Sequence, residues 1–340
     1  MAAQPALVHA CTGFAAAPAE SAAGGLRVAR VDDLWQHANN LSGWQQQYDQ
    51  LSRGRFQGEL QELWLDDLQV FEERTSQALR QRCRIPEGTL WVGITLARDG
   101  SRIDGQAAAD DGMMVCAHPD EFELGTPAGH RIFGVVTRLD ALRTHASRVG
   151  QALHTGDLRQ AGWLHCSAAT LARLREGLGQ VLSSPMEAAA GSQHPQARQH
   201  VQQAVFDMVL AALGEAQGRA DEATDRPSAA RRRDLVRAVM ADLQSQPDAV
   251  PTVPELCERF HVSRRTLQYA FEDVVGESPA VYLRCMRLNA VQRLLREGRV
   301  TQVQDAAAQH GFWSLSQFTA DYRRHFGERP SDTRERARAG

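Results

Sequence analysis

The sequence predicts two kinds of architecture on one chain: an α+β N-terminal domain, built as a short-stranded antiparallel barrel or sandwich plus helices, and an all-α C-terminal domain carrying two helix-turn-helix units. Three observations predict it. Residues 55–136 alternate short apolar runs with Pro, Gly and Asp clusters, the grammar of short antiparallel strands. Residues 252–334 contain one unit written twice, as internal self-similarity reveals. Between these stretches, residues 214–228 lack large apolar side chains, as interdomain linkers do.

At 340 residues the chain is long enough for two cores, and 43% apolar with 23% charged residues is ordinary for a globular protein. Residues 1–228 carry 20 basic and 27 acidic side chains and residues 229–340 carry 18 and 14. That asymmetry fits a nucleic-acid-binding end joined to a non-binding one, although the positive balance is too small to identify such an end alone. All 38 basic residues are arginine, so every cationic contact is a planar, permanently charged guanidinium. The six cysteines and twelve histidines show neither disulfide-framework nor metal-ligand spacing, which reads as a reduced, cytoplasmic protein with no metal site. No run approaches the 18 or so apolar residues of a membrane span.

Taken in order, residues 1–30 read as a disordered Ala-rich tail without the basic start of a signal peptide. Residues 31–213 read as an effector-sensing domain. Val31–Leu51 opens it with helical periodicity at Leu34, Trp35, Ala38 and Leu41, and a helix packing Trp44, Tyr48 and Leu51 onto a sheet is the reading preferred for 43–51. Strands follow at Phe56–Leu60, Leu63–Val70, Leu90–Leu96 and Ile132–Val136. A small barrel of this kind commonly encloses a ligand. Helices return at Leu139–Val149, His165–Leu182 and Gln196–Leu213, residues 214–230 are the linker, and Arg231–Arg233 open a helix of the 231–340 domain.

The first helix-turn-helix unit spans 252–274. Thr252-Val253-Pro254-Glu255 has the form of a capping box with proline in the first turn. His261-Val262 makes the turn and Ser263 caps the second helix. There Leu267, Ala270, Phe271 and Val274 share a face that must point inward, which leaves Arg264, Arg265, Gln268, Tyr269 and Glu272 outward. Arg grips a guanine edge and Gln an adenine edge in the major groove, so base or phosphate contact is expected here. A lone exposed Arg would be a solvated face; a run of Arg, Arg, Gln and Tyr on one helix is not.

The second unit spans 301–326, displaced by about 51 residues. Ser263 falls on Ser314, Leu267 on Phe318, Phe271 on Tyr322, Gly276 on Gly327 and Pro279 on Pro330. Thr301–Gln304 is a weaker capping box and Ser314–Gln317 a third, which would occupy Gln317 with backbone. The transferred outward set is Leu315, Ser316, Thr319, Ala320 and Arg323, small or apolar side chains suited to thymine methyls and backbone oxygens. Arg323 and Arg324 read as phosphate anchors, which position without specifying. Between the units a helix from Ser278-Pro279 to about Glu297 measures roughly 30 Å at a 1.5 Å rise, against roughly 34 Å for one DNA turn. Leu283, Leu288, Val291, Leu294 and Leu295 would pack it to both units, while Arg284, Arg287 and Arg293 serve either the protein surface or the DNA backbone.

These segments resemble the DNA-binding domain of the AraC/XylS family of bacterial transcription activators: Val262–Phe271, Gly276-Glu277-Ser278-Pro279, Arg287-Leu288, Ala306-Ala307, Gly311-Phe312, Phe326-Gly327, Pro330 and Arg334. A narrower resemblance, to regulators of ethanolamine-utilisation operons, rests on Gly43–Leu51, Gly54–Gly58, Gln69–Phe71, Ala78–Gln81, Phe122–Pro127, Arg287–Val291 and Gly311-Phe312-Trp313. It implies activation of a catabolic operon when ethanolamine and adenosylcobalamin, the latter as co-effector, are both present. The partners implied are double-stranded DNA, RNA polymerase and a small-molecule effector, with a homodimer left open and no cofactor needed for DNA binding itself. An AraC-type regulator of another effector is the first alternative. An enzyme fused to a DNA-binding module is the second; its nearest support, His118, Glu121, Glu123 and His130, matches no ligand pattern and reads as a solvated loop.

Overall fold

The computed structural model describes residues 25–96, 100–107, 112–117, 121–153, 158, 161–183, 195–217, 227–246 and 249–339. The N-terminal half is a sandwich of two antiparallel sheets. Sheet A has the order β1(Leu26–Val31), β3(Gly58–Leu65), β4(Leu68–Thr75), β11(His130–Arg138), β6(Thr89–Thr95), β9(Gly112–Cys116), β12(Gly162–His165). Sheet B has the order β2(Gln45–Gln50), β5(Leu79–Arg84), β10(Phe122–Thr126), β7(Arg102–Ile103), β8(Gln106–Ala107).

Sheet A is covered on both faces, which is why its strands are continuous apolar runs and not alternating ones. Along β6 and β11, Leu90, Val92, Ile94, Phe133 and Val135 point to a core shared with α2(Leu139–Arg148), α3(Ala168–Ser183) and α4(Pro195–Gln217). Trp91, Ile132 and Val136 point the other way, onto Cys83, Ile103, Phe122 and Leu124 of sheet B. Gly134 belongs to that inner face because a Cβ there would stand 2.0 Å from the Phe71 ring. The barrel-interior ligand expected from the sequence finds the space between the sheets filled: Trp91 stacks on Phe122 with centroids 5.2 Å apart, and Trp44 meets Trp91 edge-on at 5.7 Å.

Four expectations are corrected. The tail does not run to 30, since Leu26–Val31 pairs along β3; residues 1–24 lie outside the described residues. The helix from Val31 is only α1(Leu34–Ala38), capped by Asp33, with Trp35 exposed on it. The Gln-rich stretch is strand β2 and not a helix: Tyr48 faces inward with its hydroxyl donating to Glu73 at 2.8 Å, and pairing with β5 decides the conformation of a segment whose local propensity is indifferent. The linker is shorter than 214–230. Helix α4 continues to Gln217 because Ala216 still packs into the helical core, and α5(Pro227–Ser245) already contains Arg231–Arg233 in its interior; residues 218–226 lie outside the described residues.

The C-terminal half comprises α5, α6(Val253–Arg259), α7(Arg264–Val274), α8(Pro279–Arg296), α9(Val303–Gln309), α10(Leu315–Phe326) and α11(Pro330–Ala339). Two small cores hold it. Leu256, Leu267, Phe271 and Tyr282 gather with Val239 of α5 around the first unit. Leu288, Val291, Leu295, Phe318 and Tyr322 gather around the second. Helix α8 supplies residues to both, and its 18 residues make it about 27 Å long.

Candidate nucleic-acid interface

Each unit is built from its caps outward. Thr252 accepts the Glu255 N–H while Glu255 accepts the Thr252 N–H at 2.6 Å, the complete capping box. Those bonds from Thr252 hold the Glu255 carboxyl below the ordinary carboxylate range. His261 turns the chain at φ 52°, and the Ser263 hydroxyl accepts the Thr266 N–H at 3.1 Å to start α7. Leu267, Ala270, Phe271 and Val274 are buried as their spacing requires. Arg264, Arg265, Tyr269 and Glu272 are exposed and Gln268 half-buried. The Arg265 guanidinium lies 5.2 Å from the Tyr269 ring centroid and donates to its hydroxyl at 3.1 Å, so stacking restricts its rotamers before any DNA arrives. Gln268 donates to Glu272 at 2.6 Å, which occupies its amide.

The second unit differs in its caps. Gln302, not Thr301, is the N-cap of α9, and no side chain caps it; the Gln304 amide bonds Gln302 instead. At α10 Ser314 accepts the Gln317 N–H at 3.4 Å, but Gln317 does not return to the backbone. Its amide donates to Asp321 at 3.1 Å, a carboxylate that also draws Arg284 and Arg324. Leu315, Ser316, Ala320 and Arg323 are exposed, and Thr319, half-buried, spends its hydroxyl on the Leu315 carbonyl at 2.8 Å. Ser316 and Ser314 hydroxyls lie 3.2 Å apart. The polar groups of the outward face are thus largely committed within the helix, and Arg323 is an exposed cation on it.

The repeat is not one offset. Val303 follows Val253 by 50 positions and Leu315 follows Arg264 by 51. The left-handed turn residues His261 and Gly311 correspond, so the second turn holds one more residue, Trp313, and its side chain is 88% exposed. Aligning the first helices separately from the second would have found it in the sequence.

Arg284, Arg287 and Arg293 all turn out to be engaged within the protein. Arg284 pairs with Asp321, Arg287 donates to the Val250 and Pro251 carbonyls at 3.3 and 3.0 Å, and Arg293 pairs with Asp49 of β2. That last contact belongs to a seam between the two halves. Asn289, 1% exposed, accepts the Gln50 N–H at 2.9 Å and donates to the Gln50 carbonyl at 2.8 Å, pairing the edge of sheet B as another strand would. His325 Nε2 also meets the Gln50 carbonyl at 2.9 Å, and the His325 carbonyl accepts the Gly54 N–H at 2.9 Å. At Gly327, φ 73°, a Cβ would stand 2.8 Å from the Arg55 backbone, so glycine serves both the helix C-cap and the close approach. The seam occupies α8 and the end of α10, while Arg264, Arg265, Leu315, Ser316 and Arg323 stay in solvent.

The residues considered for catalysis do not converge. Glu123 bonds Arg80 at 2.6 Å, Glu121 faces Arg82 at 3.8 Å, and His130 is buried beside Ser101 at 3.3 Å; His118 lies outside the described residues. Among the described residues no three His, Cys, Asp or Glu are grouped to hold a metal, and no helix is long and apolar enough to cross a membrane.

A family model described as a helix-turn-helix domain matches residues 256–336. The XylDLEGF operon transcriptional activator of Pseudomonas putida is 33% identical over 84 residues, 24% of this chain and 26% of that one. The HTH-type transcriptional regulator CdhR of Pseudomonas aeruginosa is 32% identical over 102 residues, 30% of each chain. The chain thus spans under a third of the length of these curated relatives. The solved AraC-like transcriptional activator CuxR covers 78% of this chain and 94% of its own at 17% identity and a TM-score of 0.38, too distant to bear on function. Through residues 256–336, the chain is similar to the helix-turn-helix domains of these transcription regulators.

Proposed function

We propose that this chain is a cytoplasmic, sequence-specific DNA-binding activator of a catabolic operon, with residues 31–213 sensing a small molecule and residues 231–340 binding DNA and engaging RNA polymerase. The observation that carries the DNA half is the pair of recognition helices joined by one shared helix, with Arg264, Arg265, Gln268 and Tyr269 presented on α7. Ser263, Ser314, Ser316, Thr319, Arg323 and Arg324 are assigned to backbone contact. Half-site specificity then comes mainly from the first unit, because its side chains distinguish base edges. Footprinting on an operator fragment tests this: protection of two successive major grooves is expected, and protection confined to one groove overturns the paired reading.

For the effector, the reading is ethanolamine with adenosylcobalamin as co-effector, supported by the residues of β2, β5 and β10 that resemble ethanolamine-operon regulators. Calorimetry on the full chain with each compound is the test, and binding of neither overturns it. Neighbouring genes for ethanolamine ammonia-lyase subunits would support it independently.

A further inference from the structure

The turn of the second unit carries a large side chain left in solvent. In the first unit His261 turns the chain, Val262 packs against the first core and Ser263 caps α7 directly after it. In the second, Gly311 turns the chain, Phe312 packs on Phe318 with centroids 5.0 Å apart, and Ser314 caps α10. Trp313 stands between that packed residue and the cap, a position the first unit lacks, and it is 88% exposed. A single exposed aromatic needs no explanation. Here Leu315, the first residue of α10, is also 47% exposed, and Ala320 is exposed further along the same helix.

The polar groups around this apolar tip are occupied. The Ser314 and Ser316 hydroxyls lie 3.2 Å apart, the Thr319 hydroxyl donates to the Leu315 carbonyl at 2.8 Å, and the Gln317 amide donates to Asp321 at 3.1 Å. The first turns of a recognition helix are the part that meets base edges. In the major groove those edges are donors and acceptors with one apolar exception, the C5-methyl of thymine. An apolar tip whose polar groups are already bonded finds its complement in that methyl. Arg323 follows Leu315 by two steps of four residues, about 12 Å along the helix on the same side. It is exposed, so a guanidinium lies beyond the apolar tip where a flanking phosphate would be. That charge favours a polyanion over an apolar protein groove as the occupant.

We propose that the second unit recognises thymine by its methyl group: Trp313 and Leu315 lie on C5-methyls of the second half-site while Arg323 holds an adjacent phosphate. The proposal rests on the regulator reading above and names the chemistry of its second half-site. The two units then read by different means, hydrogen bonds to base edges under α7 and apolar contact under α10. Cytosine is rejected at a contacted position because it carries no C5-methyl, and 5-methylcytosine is accepted because it does. Contact removes the exposed ring of Trp313 from water, and a side chain with two torsions loses little freedom in doing so.

The test uses the full chain and a site enriched from a randomised duplex pool, the half-site under α7 being the one whose preference Arg265→Ala relaxes. Uracil then replaces each thymine of the other half-site, which removes the methyl and keeps the hydrogen-bonding edge. Affinity in a competition gel shift should fall about fourfold for each contacted methyl, the transfer value of one buried methyl. At the same positions 5-methylcytosine should bind better than cytosine by a similar factor. Trp313→Ala should lose about tenfold on the thymine duplex, keep its melting temperature, and abolish the thymine–uracil difference at the position the ring covers. Leu315→Ala should do the same at its own position. Equal affinity for thymine and uracil duplexes, or a second half-site enriched without thymine, would overturn the proposal. So would a Trp313→Ala variant that binds DNA as wild type does and fails only in transcription with RNA polymerase, since the ring would then be a protein contact. Enrichment of no sequence at all sinks the regulator reading and the methyl contact together. Enrichment of two half-sites that are indifferent to uracil sinks the methyl contact alone.

Discussion

Asn289→Ala tests the seam between the halves at its most buried point. Asn289 makes two hydrogen bonds to the Gln50 backbone, at 2.9 and 2.8 Å, and a third to the Cys285 carbonyl at 2.8 Å. Truncation leaves the Gln50 carbonyl with His325 Nε2 but strips the Gln50 N–H of its acceptor. An orphaned buried donor costs about 1–3 kcal/mol and a lost hydrogen bond about 1 more, so the docked state should weaken by about 2–4 kcal/mol. Since opening of the seam exposes that amide, its hydrogen exchange should accelerate about 30- to 900-fold relative to wild type. Amides in the centre of β6, buried in sheet A, serve as the internal control and should not change. Gln50 exchange that is indifferent to the substitution would refute the pairing, and equal acceleration in β6 would mean that the fold, not the seam, had been weakened.

Four further expectations follow from the same geometry. Arg265→Ala and Gln268→Ala should each cost about 1–3 kcal/mol on the specific site and relax sequence preference; equal losses on random DNA in a competition gel shift would show that another face reads. Arg323→Ala should weaken all sequences alike and lower the slope of log affinity against log salt by about one, whereas an unchanged slope removes it from the phosphate contacts. Trp313→Ala, at 88% exposure, should leave urea stability within about 0.5 kcal/mol, and a larger loss would place that ring in a core. Burial lowers the pKa of His325 below its ordinary 6.5, against the opposing pull of the Gln50 carbonyl. A folded-state histidine held neutral contributes stability above that value, and loses it as pH falls below about 6.5 because the unfolded chain takes the proton first. The melting temperature should therefore drop from pH 7.5 to 5.5 by more in wild type than in His325→Gln, and parallel curves would contradict the assignment.

The seam also explains a division of labour that composition hides. Sheet B keeps one face on the aromatic core and turns Asp49, Arg80 and Glu123 outward, an arrangement that would be wasteful on a free surface. Docking of α8 against that face gives the charges partners: Arg293 for Asp49, and the Met286 sulfur 3.8 Å from Arg80. Helix α8 therefore cannot act only as a spacer between recognition helices. It is also the ridge by which the N-terminal half holds the C-terminal one, leaving Arg264, Arg265 and Arg323 exposed.

The double unit was legible because helix-turn-helix geometry is local: caps at Thr252, Ser263 and Ser314, left-handed glycines at 276 and 327, and apolar side chains three and four apart leave few alternatives. The strands of sheet A were legible because burial on both faces writes unbroken apolar runs. What sequence alone determined, then, is what neighbouring residues settle among themselves: element type in the strongly patterned stretches, the capped turns, and which side chains α7 and α10 turn outward. What only the tertiary structure decided is whatever depends on distant partners. Gln45–Gln50 became a strand because β5 was there to pair with it; Arg293, Asn289 and His325 became seam residues because Asp49, Gln50 and Gly54 were folded against them. Arg80 and Arg102, 22 positions apart in the chain, share a row only because β10 lies between their strands, and no periodicity along a chain encodes which strands become neighbours.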